Sequence, residues 1–334
     1  MRDSMSAVPL LEALVHKTRL PWYWATSVVA VLLSGFLLIV LLADNGYSFR
    51  IQWEGWRVLL EPAVILYILL VYPLVKKLWQ RALSTCLNLV PPERREILQS
   101  SIFSYNRKRE WIALTIGGLF ILALMFSGPW EWVQGWSDLY TVLASVVAFS
   151  LLAWLVFDQI TNLAHLSKLN RSHIVIDIFN TEALTPVATW GLGISLAFIG
   201  GISLSVAFQH WENLRSGQSI IIYTILVAVT IVLFFVSMWS THGAILRVKK
   251  QELNVMKKNL ENARNNLKAA ITARKESGME EVYAGVAAWS LLVNQAQEAR
   301  EWPYNAAIIR RLSLTVASPV IVYLLKILLG TRLL

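Results

Sequence analysis

Seven apolar runs follow one another along this chain, and the polar gaps between them alternate between rich in Lys and Arg and nearly free of them. The runs cover residues 22–43, 56–75, 111–128, 139–157, 186–208, 219–240 and 312–330. About 20 apolar residues in a helix cross roughly 30 Å of hydrocarbon, and the first six runs meet that need. The seventh is interrupted by Pro319 and Lys326 and is marginal; it either crosses or lies partly in the interface. The N-terminal arm and the gaps after the second, fourth and sixth runs hold 25 Lys and Arg, against 4 on the other side, with Lys326 inside the last run. Positive charge is retained on the cytoplasmic side of a membrane. The pattern therefore predicts an all-α integral membrane protein of six or seven spans, N-terminus in the cytoplasm, in a plasma membrane of the bacterial inner-membrane type.

Composition fits this. Charged residues make up 15% and apolar ones 56%, where soluble domains carry roughly 25% charged. Many of the 15 Trp fall near the ends of the apolar runs, where aromatic belts meet headgroups. The net charge of +9 reads as topogenic charge and attraction to anionic lipid headgroups rather than as a nucleic-acid surface. A lone cysteine, Cys86, allows no intrachain disulfide. Met1 to Leu20 is amphipathic and lacks a small-residue cleavage site after its first apolar run, which reads as an uncleaved anchor.

The longest polar stretch follows the sixth run. Leu246, Leu253, Leu260 and Leu267 repeat every seven residues, with Met256, Ala263 and Ala270 at the offset of three. That is a coiled-coil seam, and Lys249, Lys250, Glu252, Lys257, Lys258, Glu261, Arg264 and Lys268 read as its solvated faces. Gly278 reads as the helix stop. A second helix carries Val282, Val286, Trp289, Val293 and Ala296 on one face and ends near Trp302-Pro303. The result is a cytoplasmic antiparallel hairpin, with Gly243 as the flex point where it leaves the membrane. Pairing outward from Gly278 sets Leu260 near Ala296 and Leu253 near Pro303, so Leu246 and Leu253 seek a partner in a second subunit, or pack on the inner loops after the second and fourth runs. The chain thus divides into a bundle with its N-terminal arm (1–240), the hairpin (241–303) and a C-terminal membrane helix (304–334).

The segments Ile176-Asp177-Ile178-Phe179-Asn180 and Arg300-Glu301-Trp302-Pro303-Tyr304-Asn305 resemble stretches of uncharacterised bacterial multi-pass membrane proteins. The resemblance covers a small part of the chain and implies no activity.

Candidate chemistry is sparse. In the fifth run Thr189, Gly193, Ala197, Gly201 and Ser205 lie four apart on one helix face. Such a stripe packs closely against another helix, within or between subunits, or lines a pore. Glu61 lies one turn inside the second run; an ionisable residue there marks function, or snorkels or pairs with Arg57. Asp158 ends the fourth run and caps or pairs at the inner surface, and Lys326 snorkels or marks the last run as interfacial. The short outer gaps each carry a Trp-Glu pair (Trp53-Glu54, Trp130-Glu131, Trp211-Glu212); these acids either gather cations or sit solvated beside an interfacial Trp. His16, His165, His173, His210 and His242 show no metal-ligand spacing, and no phosphate loop or catalytic triad is present. The expectation is a protein that is not an enzyme and has no cofactor or metal. Two classes of function stay open: a homo-oligomeric, channel-like protein conducting cations, with the hairpin assembling or gating it; or a non-conducting scaffold or accessory subunit docking other membrane proteins. A secondary transporter is third, since it calls for midplane charges and paired broken spans.

Overall fold

The computed structural model describes residues 9–45, 59–93, 95, 107–126, 136–171, 177–209, 217–272, 279–302 and 306–330. Among these residues there is no strand. The helices are α1 (Leu10–Thr18), α2 (Trp22–Asn45), α3 (Leu60–Asn88), α4 (Arg107–Phe126), α5 (Trp136–Arg171), α6 (Thr185–Phe208, entered through a 3-10 turn, Thr181–Leu184), α7 (Gly217–Thr272), α8 (Met279–Glu298) and α9 (Ala306–Gly330). The three outer Trp-Glu pairs, Arg57 and Gly278 lie outside the described residues, as does the side chain of Lys326.

Among the described residues six helices are long and apolar enough to cross a membrane: stretches of α2, α3, α5, α6 with its 3-10 turn, α7 and α9. The last run, marginal in sequence, is one continuous helix through Pro319. The helix α4, read in sequence as the third span, is not among the six. It opens on Arg107-Lys108-Arg109-Glu110, which leaves a shorter apolar stretch behind. It packs most closely on α5. Gly117 makes that approach possible: a Cβ there would collide with the backbone carbonyl of Phe149 and lie 2.6 Å from the Ala153 Cβ.

The bundle has two lobes joined by α3. One lobe gathers α2, α4 and α5 around Ile65, Ile68, Tyr72, Leu151 and Trp154. The other gathers α6, α7 and α9 around Trp79, Leu166, Trp190, Phe234, Met238 and Ile245. Trp79 of α3 and Trp190 of α6 meet across the junction with ring centroids 4.8 Å apart. Large apolar side chains stay exposed on the outer flanks, among them Val31, Leu32, Ile39, Phe120 and Val232. In water such a surface would associate; around a bundle of this kind it is what lipid tails solvate.

Proline in the middle of α3 explains a contact between lobes of sequence far apart. Pro73 has no N–H to give the carbonyl four residues back, that of Leu69. The indole N–H of Trp22 donates to that Leu69 oxygen at 2.7 Å. The start of α2 is thereby pinned to the gap that proline leaves in α3.

The helix α7 is 56 residues long, about 84 Å at 1.5 Å per residue. It runs unbroken through Gly243, the expected flex point, whose Cβ position faces open space. Nothing at that site asks for glycine, so the surrounding helix formers carry the helix through. The helix is described as far as Thr272, and the expected stop at Gly278 lies outside the described residues.

Candidate functional site

The lobe of α2, α3, α4 and α5 carries acids at two levels. At the first, the Ser145 hydroxyl of α5 donates to Glu61 Oε1 of α3 at 3.4 Å. Tyr140 is buried within electrostatic reach of the same carboxylate, and its hydroxyl donates to the Leu33 carbonyl of α2 at 3.4 Å. Glu61 is therefore turned inward onto α5.

The second level lies further along α5. Glu110 is 3% exposed; its Oε2 accepts from the Leu10 backbone N–H at 2.5 Å and from the Trp154 indole at 3.5 Å. Its Oε1 is buried with no hydrogen-bond partner among the described residues. One turn beyond Trp154, Asp158 Oδ2 accepts from the side-chain amides of Gln159 and Asn162, each at 3.1 Å. Asp158 is 7% exposed and sits mid-helix. Asp158 is expected to cap or pair; it pairs with Gln159 and Asn162, and the helix does not end with it, since α5 continues to Arg171 with Asn162, Leu166 and Leu169 buried. Glu12 of α1 forms an ion pair with Lys76 of α3, and both act electrostatically on Asp158, as does Glu110. Lys76 thus lies near the carboxylates of Glu12 and Asp158, and Arg107 acts on Glu110. Buried like charges repel unless a cation or proton offsets them.

Between the two levels stands an aromatic column. Trp22 and Tyr72 have ring centroids 5.3 Å apart, and Tyr72 and Trp154 4.9 Å. From Ser145 to Asp158 along α5 is about 20 Å. The arrangement is two acidic levels with a column of tilted aromatic rings between them.

The small-residue stripe of α6 lies elsewhere. A Cβ on Gly193 would run into Leu78 of α3, and one on Gly200 into the hydroxyl of Tyr67. That hydroxyl donates to the Ala197 carbonyl at 2.8 Å. Gly201 sits farther off, its Cβ position 3.6 Å from the Tyr67 ring. Ser205 no longer faces α3; its hydroxyl is 3.1 Å from the Tyr223 hydroxyl of α7, which donates in turn to Gln209 Oε1. Steps of four residues advance about 40° each around a helix, so a stripe over three steps turns from one neighbour to the next. The stripe serves contacts between α6 and its neighbours in the same chain, and Gly200, absent from the sequence pattern, makes the closest approach to Tyr67.

Where α7 leaves the bundle it is clamped. Asn170 of α5 donates to the hydroxyls of Ser240 and Thr241 at 3.0 and 3.1 Å, while Arg247 donates to the Asn170 carbonyl at 2.7 Å. The His242 ring stacks on Trp302 at 3.9 Å, and its Nδ1 lies 2.8 Å from the Glu301 carbonyl oxygen. Lys249 is 6% exposed. Its ammonium donates to the carbonyls of Gln297 and Ala299, each at 2.8 Å, and to Glu301 Oε1 at 3.1 Å. Helix C-termini leave carbonyls unsatisfied and carry negative potential, and Lys249 meets both needs at the end of α8. It is not the solvated lysine that the sequence suggested.

These contacts also fix how α8 returns along α7. Residues 297–302 lie beside Lys249 and His242, so the returning chain reaches further than pairing around Gly278 allows. Leu246 and Leu253, expected to lie beyond the end of α8, are half-buried within the chain; Leu260 is buried at 8% and Leu267 half-buried. The bonds of Lys249 and His242 to residues 297–302 thus set a different pairing of α7 with α8 from the one counted outward from Gly278.

Sequence reasoning missed Glu110, Glu12 and Lys76 altogether. Their only trace is an acid in a basic run just before an apolar one, Arg107-Lys108-Arg109-Glu110-Trp111. No family model matches the chain, and no curated protein and no solved structure matches it.

Proposed function

We propose that the chain is a cation-conducting, channel-like membrane protein that works as a homo-oligomer, with its N-terminus and the α7–α8 hairpin in the cytoplasm and α4 as a further, seventh crossing. The observation that carries the reading is the pair of acidic stations, Glu61 with Ser145 and Tyr140, and Glu110 with Asp158, Glu12 and Lys76, set about 20 Å apart along α5. Carboxylates at membrane depth are costly and mark ion or proton pathways. The reading puts the path inside each subunit, through the lobe of α2 to α5, with the Trp22–Tyr72–Trp154 column as its constriction. The small-residue face of α6, already engaged with α3, then serves packing. The charge asymmetry of the sequence supports the orientation.

The test is cation flux into liposomes holding the purified protein, read with dyes for K⁺ and for H⁺. Flux should fall tenfold or more in Asp158→Asn and in Glu110→Gln, while Glu182→Gln, on an exposed residue outside the lobe, leaves it unchanged. A protein that passes neither ion would overturn the proposal. A non-conducting scaffold is the second reading, favoured by Val255, Ile271, Tyr283 and Leu291, which stand exposed on the α7–α8 pair. Co-purification of a stoichiometric membrane partner, with no flux, would select it.

A further inference from the structure

The helix α1 is held to the inner acidic station by its first residue and its third. The Leu10 amide gives its proton to Glu110 Oε2 at 2.5 Å, and the Leu10 side chain is 5% exposed beneath it. Glu12 pairs with Lys76. Beyond these, Leu11 packs on the apolar cluster around Ile65 and Trp154, while Leu14 and Leu20 point outward. A nine-residue helix has little cohesion of its own, so this one keeps its place through a handful of contacts on charged groups.

Its connection to α2 has the form of a hinge. Arg19 has φ 58°, in the left-handed region that residues with a side chain rarely adopt. Leu20 precedes Pro21, which keeps it from continuing the helix. On the far side of the hinge α2 is fixed by the Trp22 indole on the Leu69 carbonyl. A left-handed joint thus separates an anchored helix from a lightly held one, and the lightly held one covers a carboxylate whose second oxygen has no hydrogen-bond partner among the described residues. Removing α1 would take from Glu110 its backbone donor and from Lys76 its counter-ion, leaving the Glu110 carboxylate free to meet a cation or water and the Lys76 ammonium to meet water.

We infer that α1 is a lid: docked through Leu10–Glu110 and Glu12–Lys76 it closes the inner acidic station, and it swings about Arg19 to open it. The inference rests on the cation-path reading above and adds its regulation. Strain at the hinge is relieved in the open state, whereas the ion pair and the amide bond favour the closed one. Segments that open locally in this way are those with few buried contacts and exposed surroundings.

The experiment uses the full-length protein with Cys86→Ser and Leu10→Cys, and follows both the rate of maleimide labelling in detergent and cation flux in liposomes. Glu12→Lys sets two ammonium groups against each other. It should speed labelling at position 10 at least tenfold and raise flux by a similar factor. Adding Lys76→Glu restores an ion pair with its charges exchanged and should return both towards their starting values. A flexible, reducible bis-thiol cross-linker joining Glu12→Cys to Lys76→Cys, in the Cys86→Ser background without Leu10→Cys, should silence flux until a reductant is added. Unchanged labelling in Glu12→Lys would show that the pair does not hold α1. Faster labelling with unaltered flux in a conducting protein would show that α1 is no lid. Failure of every form to conduct would overturn the cation path, and the lid with it, while labelling still reported whether α1 detaches.

Discussion

Replacing Trp22 with Phe isolates the bond between the α2 indole and the carbonyl that Pro73 strands. The ring contact with Tyr72 is largely kept, but the donor 2.7 Å from the Leu69 oxygen is lost. That oxygen lies in the midst of α3, part-buried beneath the indole. Leaving a buried acceptor without a partner costs about 1–3 kcal/mol. Pro73→Ala returns a backbone N–H to position 73 and gives the Leu69 oxygen its ordinary helical partner. In that background Trp22→Phe should cost less by about 1–2 kcal/mol, the loss of ring area being common to both. The four proteins would be unfolded in mixed detergent and dodecyl sulfate micelles and followed by circular dichroism. An equal cost in both backgrounds would refute the account and leave Trp22 acting through packing alone.

Three other substitutions bear on the fold. Gly117→Ala should destabilise by about 1–3 kcal/mol, because its Cβ meets the Phe149 backbone, whereas Gly243→Ala, with open space around it, should stabilise by up to about 1 kcal/mol; thermal shift in detergent compares them. Lys249→Met should cost about 1.5–3 kcal/mol and raise hydrogen exchange through the last turn of α8, since it leaves the carbonyls of Gln297 and Ala299 without their donor. With Cys86 replaced, cysteines at positions 108 and 257 should resist an impermeant maleimide added to intact cells; labelling at 257 would sink the assigned orientation.

The spanning helices were legible in the sequence because lipid imposes a length on apolar runs. Run lengths located α2, α3, α5, α6, α7 and α9, including one run that Pro319 and Lys326 made doubtful. The inner station was not legible. Glu12, Lys76, Glu110 and Asp158 come from four helices, and nothing local tells an acid at a span's edge that it will be covered by another helix. The Lys249 cap was legible in principle. The offset filled by Met256, Ala263 and Ala270 falls on Lys249 when extended one heptad back, and a cation on a seam asks for a partner. The heptad gave the right face of α7 but the wrong register, since a seven-residue repeat does not set the pairing with α8.

The clamp on α7 has a mechanical consequence. Asn170 grips residues 240 and 241 from one side, and the 297–302 segment grips His242 and Lys249 from the other. Ile245 lies between these grips, fully buried. From there to Gly217 and to Thr272 the distances are nearly equal, about 40 Å each at 1.5 Å per residue. With no hinge at Gly243, α7 is a beam resting on a fulcrum at its midpoint. A tilt of α7 as a rigid rod about this point would carry residues near Thr272 and residues near Gly217 in opposite directions, the latter beside the Ser205–Tyr223 contact between α6 and α7.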